Sequence, residues 1–285
     1  MVIESIFSPG RAERHPFEMF LLGIFYGSIG IGLALWIFKE WSSMVMVFLT
    51  ATACIPLMYR TLKYEEAKDK EISGELPLMK QHFKALLFFV MLFLGFTIAF
   101  SFWNFVLPEK IVATAFLAQS KTIQSINTPT GAATSLNVFM KVFVNNIRVL
   151  FFCIFFSFFY GAGAIFILAW NGSVIGTAIG GLARNKLSEF LAKAGAVNAG
   201  HYFHVISAGL IRYLPHGIFE ILGFFMGGLA GGIISVAVVN HDFATKEFNH
   251  ILADSLDLLI LSIMIIFFAA LIEVYVTPSL FKAIF

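Results

Sequence analysis

The chain has 285 residues, 59% of them hydrophobic and only 13% charged, with a mean hydropathy of +0.87, whereas soluble domains carry about 25% charged residues. Many of its 35 Phe residues fall in runs such as FFCIFFSFFY, which would aggregate in water and suit acyl chains. A formal net charge of +2 provides no strong basic field and argues against nucleic acid as a partner.

The composition therefore points to an all-α fold, a polytopic transmembrane helical bundle forming a single integral membrane domain over residues 1–285. A bilayer core about 30 Å thick needs about 20 helical residues. The first apolar run, Phe17 to Phe38, is longer than a signal-peptide core and ends in Lys39-Glu40 without a small-residue cleavage site, so it is expected to remain as an anchor. A second, short run at 43–59 carries Pro56. Cys54, in this run, and Cys153, in a later one, are expected to act as small hydrophobes; metal ligation or a disulfide framework is not expected.

Residues 60–84, including TLKYEEAKDKEISGE, mix both charge signs with helix formers before Gly74 and Pro77. The expectation is a charged cytoplasmic hairpin in water, and a docking surface for a partner is the second reading. A third span is expected over 84–106. Residues 108–147 alternate apolar and small polar residues around Thr128-Pro129-Thr130-Gly131, a pattern suited to two short helices in the outer interface.

The fourth span is read over 149–170. Asn145, Asn146 and Arg148 stand at its opening, where Asn can cap free amides and Arg can reach lipid phosphate. Residues 171–213 hold a Gly-rich stretch too short to span and a second short segment that runs up to the interruption at Pro215, which leaves a re-entrant or an interfacial arrangement open. Spans at 214–239 and 256–276 bring the count to about six.

Orientation follows from Lys and Arg in the loops. With the N-terminus cytoplasmic, thirteen basic residues fall inside and six fall outside, namely Lys39, Lys110, Lys121, Lys141, Arg148 and Lys246. The expectation is a multi-pass protein of the cell (plasma) membrane with both termini cytoplasmic.

Within the spans, a carboxylate facing lipid is costly, about 2.5–3.5 kcal/mol at the bilayer centre on insertion scales. Glu220 should therefore face the bundle with a partner, and so should Glu273 in the last span. Asn171, Arg212, His216, Glu220 and Glu273 are expected to form one inner polar cluster in which Arg212 or His216 offsets the two carboxylates. The cluster admits three readings: a lock on helix register, an ion or proton pathway, and a metal or catalytic site. The third is the weakest. His216 and Glu220 supply one His and one acid, not the two His with a Glu that helical zinc hydrolases use. Glu65-Glu66 is followed by Lys70 where CAAX-type intramembrane proteases have Arg, and no GxSxG, P-loop or CxxC occurs. No catalytic, cofactor-binding or metal residue is assigned.

Several segments in order carry a resemblance: Asn145-Asn146-Ile147-Arg148, Tyr160-Gly161-Ala162-Gly163-Ala164 running to Trp170-Asn171-Gly172, Pro215-His216-Gly217-Ile218-Phe219-Glu220, and Ile272-Glu273-Val274-Tyr275-Val276-Thr277-Pro278. Together they resemble the stage II sporulation protein M family, and its archaeal branch more closely. The resemblance implies a non-catalytic membrane component that assembles with envelope proteins. The extra N-terminal span and longer loops depart from the bacterial form. The expected function is thus a non-enzymatic membrane scaffold or assembly component, with a small-solute, ion or proton transporter using His216, Glu220 and Glu273 as the alternative. Expected partners are the lipid bilayer, membrane or envelope proteins, and a second copy in a homo-oligomer.

Overall fold

A computed structural model describes residues 8–71, 75–127, 135–157, 162–196, 198–239 and 246–284, all helices and their connections. Ser8 accepts from the Arg11 amide and Pro9 opens α1 (Pro9–Arg14), since a proline at the first helical position loses no needed hydrogen bond. Then come α2 (Pro16–Ile37), α3 (Ser42–Glu71), α4 (Glu75–Val106), α5 (Glu109–Ala115), α6 (Leu117–Asn127), α7 (Ser135–Ser157), α8 (Ala162–Ala194), α9 (Ala199–Val239) and α10 (Lys246–Leu271). A π-turn, Ile272–Val276, joins α10 to α11 (Thr277–Ile284). Among the described residues, seven helical stretches are long and apolar enough to cross a membrane.

The seventh arises where one span was expected over 149–170. Helix α7 ends at Ser157 and α8 begins at Ala162, with Gly163 pressed against Phe156, so the chain reverses inside that apolar run. Hydropathy stays high on both sides of the reversal, and a sliding window has no means of seeing it.

The glycines read as a break after Asn171 have a different role. Gly172, Gly176 and Gly180 recur every fourth residue on α8, facing Phe96, Phe100 and Asn104 of α4. A Cβ on Gly176 would come within 2.9 Å of the Thr97 carbonyl and the Ser101 amide, so the missing side chains let two backbones touch. Residues 171–213, expected to be re-entrant or interfacial, instead complete α8 and open α9. Pro215 sits inside α9 without ending it, as packed membrane helices tolerate.

Contacts fix the directions. Gly23 meets Gly95 and Gly27 meets Ala99, so α2 and α4 run parallel. The α8 glycines run parallel to α4; Gly209 on Ile179 and Gly228 on Ala164 make α9 antiparallel to α8. Gly223 on Ile266 and Gly227 on Ser262 reverse α10 once more. Calling the end where α2 begins the near end, α11 finishes at the far end. The termini are expected on one side; among the described residues, α1 and α11 lie at opposite ends of the helix layer. With this connectivity eighteen of the nineteen Lys and Arg residues divide evenly between the two halves of the bundle, Arg148 standing in the middle of α7, and the charge bias favouring two cytoplasmic termini disappears.

The core is a continuous aromatic and aliphatic cluster through α2, α3, α4, α8 and α9, including Phe88, Phe93, Phe96, Phe100 and Phe225. At the far end α5 and α6 fold over it. Gln119 of α6 donates to the Ser43 carbonyl (2.9 Å) and to Ser173 Oγ (3.1 Å), tying α6 to α3 and α8. The Thr128 to Gly131 stretch lies outside the described residues.

Candidate functional site

Glu220 is the centre of the polar site. Gly217, one turn earlier, lies on Ile175; the adjoining Gly176 lies on Phe100; and Ala99 lies on Gly27, in the middle of α2. Glu220 is therefore level with the centre of the bundle. Asn146 of α7 donates from Nδ2 to Glu220 Oε1 at 2.5 Å, and the carboxyl of Glu273 faces that of Glu220. Two carboxylates so placed repel each other when both are ionised, and sharing a proton removes that repulsion.

The local structure explains why the groups meet. Ser262 Oγ donates to the Gly223 carbonyl at 2.7 Å, which pins α10 against the glycine face of α9. Beyond that point the π-turn places Glu273, and a π-turn's wider spacing re-aims side chains relative to the α-helix before it. His216 Nδ1 lies 3.3 Å from Thr277 Oγ1. Arg212 sits over the rings of Phe281 (5.2 Å) and Tyr213 (5.7 Å).

Glu220, His216 and Glu273 thus occupy one face, while two expected members do not join the carboxyls. Arg212 is eight residues from Glu220, about 12 Å along the helix, and its guanidinium rests on aromatic faces. It does not offset the acids. Asn171 donates to the Ile167 carbonyl of its own helix at 2.9 Å.

The residues assigned to an outer helix start also move. Asn145, Asn146 and Arg148 lie in the middle of α7, where no amide is free to be capped. Asn146 is turned inward to Glu220; Asn145 and Arg148 are turned outward and exposed. The misassignment follows from the missed reversal, because α7 had been read as an interfacial segment.

A second polar site lies at the near end. Lys68 Nζ bridges Glu13 Oε1 (2.6 Å) and Glu65 Oε1 (2.7 Å), and Glu65 Oε2 holds His82 Nδ1 at 2.7 Å. The network joins α1, α3 and α4. Glu65 is 0% exposed, and Glu66, Lys68 and His82 are also buried. This overturns the water-exposed reading of this part of 60–84: α3 continues to Glu71, and its buried face runs through Cys54, Met58, Thr61, Leu62, Glu65 and Lys68. That three-to-four spacing was the available signal; the charges on it masked the periodicity. Burial pushes the Glu13 carboxyl above its ordinary range, Lys68 opposes the rise, and neighbouring Glu65 adds to it.

His82 also lines a cavity of about 20 Å³ with Leu78, Met79, Asp254, Asp257 and Leu258, room for about one water molecule. Asp254 in turn lies 2.7 Å from His250. Among the described residues no three His, Cys, Asp or Glu side chains converge so as to hold a metal.

At the far end Arg184 Nη2 donates to the carbonyls of Asn104 (2.5 Å), Phe105 (3.0 Å) and Leu107 (2.7 Å). A guanidinium here satisfies carbonyls that the end of α4 leaves open and complements its dipole. Arg184 had been expected at the end opposite Val106; the structure puts them together.

The sequence has counterparts among known proteins. The model for stage II sporulation protein M matches residues 84–278. The chain belongs to the stage II sporulation protein M family. An uncharacterized protein of Methanocaldococcus jannaschii is 31% identical over 145 residues, which cover 50% of this chain and 72% of the relative. No solved structure matches. The stage II sporulation protein M match contains Asn146, Glu220 and Glu273, whereas Glu13, Glu65, Lys68 and His82 all precede it.

Proposed function

We propose that this member of the family is a non-enzymatic scaffold or assembly component of the cell membrane, a bundle that holds a fixed shape for partner proteins. The observation that supports this most is that Asn146 donates to Glu220 while Glu273 faces it. The most expensive side chains in the interior are engaged with one another across α7, α9 and the π-turn. Polar ties of this kind fix the register of membrane helices, whose apolar faces alone specify it weakly. Arg184 at the end of α4 and Ser262 on Gly223 act in the same sense.

The test uses the purified protein in vesicles loaded with a pH-sensitive dye. A scaffold passes no protons or common cations, and the Glu220→Gln, Glu273→Gln variant melts at a lower temperature than the native chain. Flux that Glu220→Gln abolishes contradicts the scaffold reading.

One observation favours a second reading, proton or ion movement. The Glu220–Glu273 pair lies at mid-depth, His216 stands one turn away on the same face, and intramembrane acids of this kind mark proton relays. The flux experiment separates the two readings directly.

A further inference from the structure

Helix α7 presents to its surroundings a face that lipid does not suit. Asn146 is level with Glu220, and Leu150 touches Gly227, so Arg148 lies between two rungs in the middle of the bundle. It is nine residues from Ser157 and thirteen from Ser135, about 13 and 20 Å along the axis, which exceeds the reach of its side chain to either end. Yet Arg148 is exposed, and among the described residues it makes no hydrogen bond or ion pair. Lys141 and Asn145 share its face at helical spacing and are also exposed, followed by exposed Phe151, Phe152 and Phe155. The apolar window of α7 is 22% buried, against 72% for that of α9.

Charged groups within spans face the bundle interior or a partner. Phosphate is out of range at this depth, which leaves protein. Two α7 faces of a second copy would oppose Arg148 to Arg148; of the acids on the chain itself, Glu220 and Glu273 face inward, and exposed Asp257 of α10 stands five residues, about 7.5 Å, from Ser262 and so away from the level of Arg148. We propose that the outward face of α7 docks a membrane helix of another protein carrying a carboxylate within its apolar segment, Arg148 taking the carboxylate and the Phe side chains packing alongside. The proposal rests on the scaffold reading and names the chemistry of the partner.

The test is energy transfer in phosphatidylcholine vesicles between the labelled full chain and a synthetic leucine-rich transmembrane peptide with one central Glu, beside the same peptide with Gln. The expected result is association at least tenfold stronger for the Glu peptide, a preference lost in Arg148→Leu and kept in Arg148→Lys. Both substitutions lie on the outer face and leave the interior contacts in place. Equal association of the two peptides overturns the proposal. It is equally overturned if Arg148→Leu abolishes transfer between copies of the chain instead, which assigns the face to self-association, or if Arg148 affects only partition into phosphatidylglycerol vesicles, which assigns it to lipid. Should the peptide arm fail while the Glu220→Gln, Glu273→Gln variant still loses thermal stability without any flux, the docking inference falls and the scaffold reading stands.

Discussion

Glu220 of α9 and Glu273 of the π-turn face each other as one rung of a series. Four residues back along α9, His216 faces Thr277, four residues on; four further, Arg212 covers Phe281. The antiparallel register therefore holds over two turns and leads from the mid-depth carboxyl pair to a cation–aromatic contact toward the far end. Acid, imidazole and guanidinium are graded along one helix face, with the ionisable pair deepest.

Removing Asn146 should expose how far this site stabilises the bundle. Asn146→Leu deletes the Nδ2 donor to Glu220 and leaves a buried acceptor short of a partner, a loss of about 1–3 kcal/mol. Thermal unfolding in detergent should show a clearly lower Tm, while Asn145→Leu, on the outer face, should not lower it.

The α8–α4 contact should tolerate no added volume. A Cβ at Gly176 would stand 2.7 Å from Phe100 Cβ and 2.9 Å from backbone atoms, so Gly176→Ala should destabilise by about 1–3 kcal/mol through overpacking. Gly181 has nothing within 4 Å of the corresponding position, and Gly181→Ala should be neutral or stabilising by about 0.5–1 kcal/mol. The pair of melting temperatures checks both.

Lys68 sits between two carboxylates, one of them fully buried. Lys68→Met removes the cation and leaves Glu65 against Glu13, a break in a buried ionic network that costs about 3–5 kcal/mol. Because Glu13 anchors α1 through this bridge, limited proteolysis should cut the N-terminal segment of the variant faster than that of the native chain.

The same network sets a pH dependence. The folded-state pKa of Glu13 is raised, so folding favours its protonated form. Its contribution is complete below the ordinary carboxylate range and is lost as pH rises through the folded value. The Tm difference between the native chain and Glu13→Gln should shift against the native chain over that rise; a difference that is flat with pH, or that moves the other way, contradicts the assignment.

Much of this was legible in the residues, for reasons that differ by site. Glu220 and Glu273 announced themselves because an acid in an apolar span must find company, and the structure brings them together. Asn146 was placed at the wrong depth because the hydropathy of 149–170 is unbroken across a chain reversal. The α8 glycines allow two readings, break or close contact, and only the opposing helix decides between them. Glu65 and Lys68 were hidden by their own charge: a run of mixed sign reads as solvated unless its three-to-four spacing is followed back into the apolar part of α3.

Sharing of a proton between Glu220 and Glu273 is open to direct measurement. Infrared difference spectra of the native chain at neutral pH, taken against the Glu220→Gln, Glu273→Gln variant in the same lipid, should contain the carbonyl stretch of a protonated carboxyl group that shifts on exchange into deuterium oxide. If the difference holds only ionised carboxylate bands, the two acids do not share a proton and the contact at the centre of the bundle is not as described.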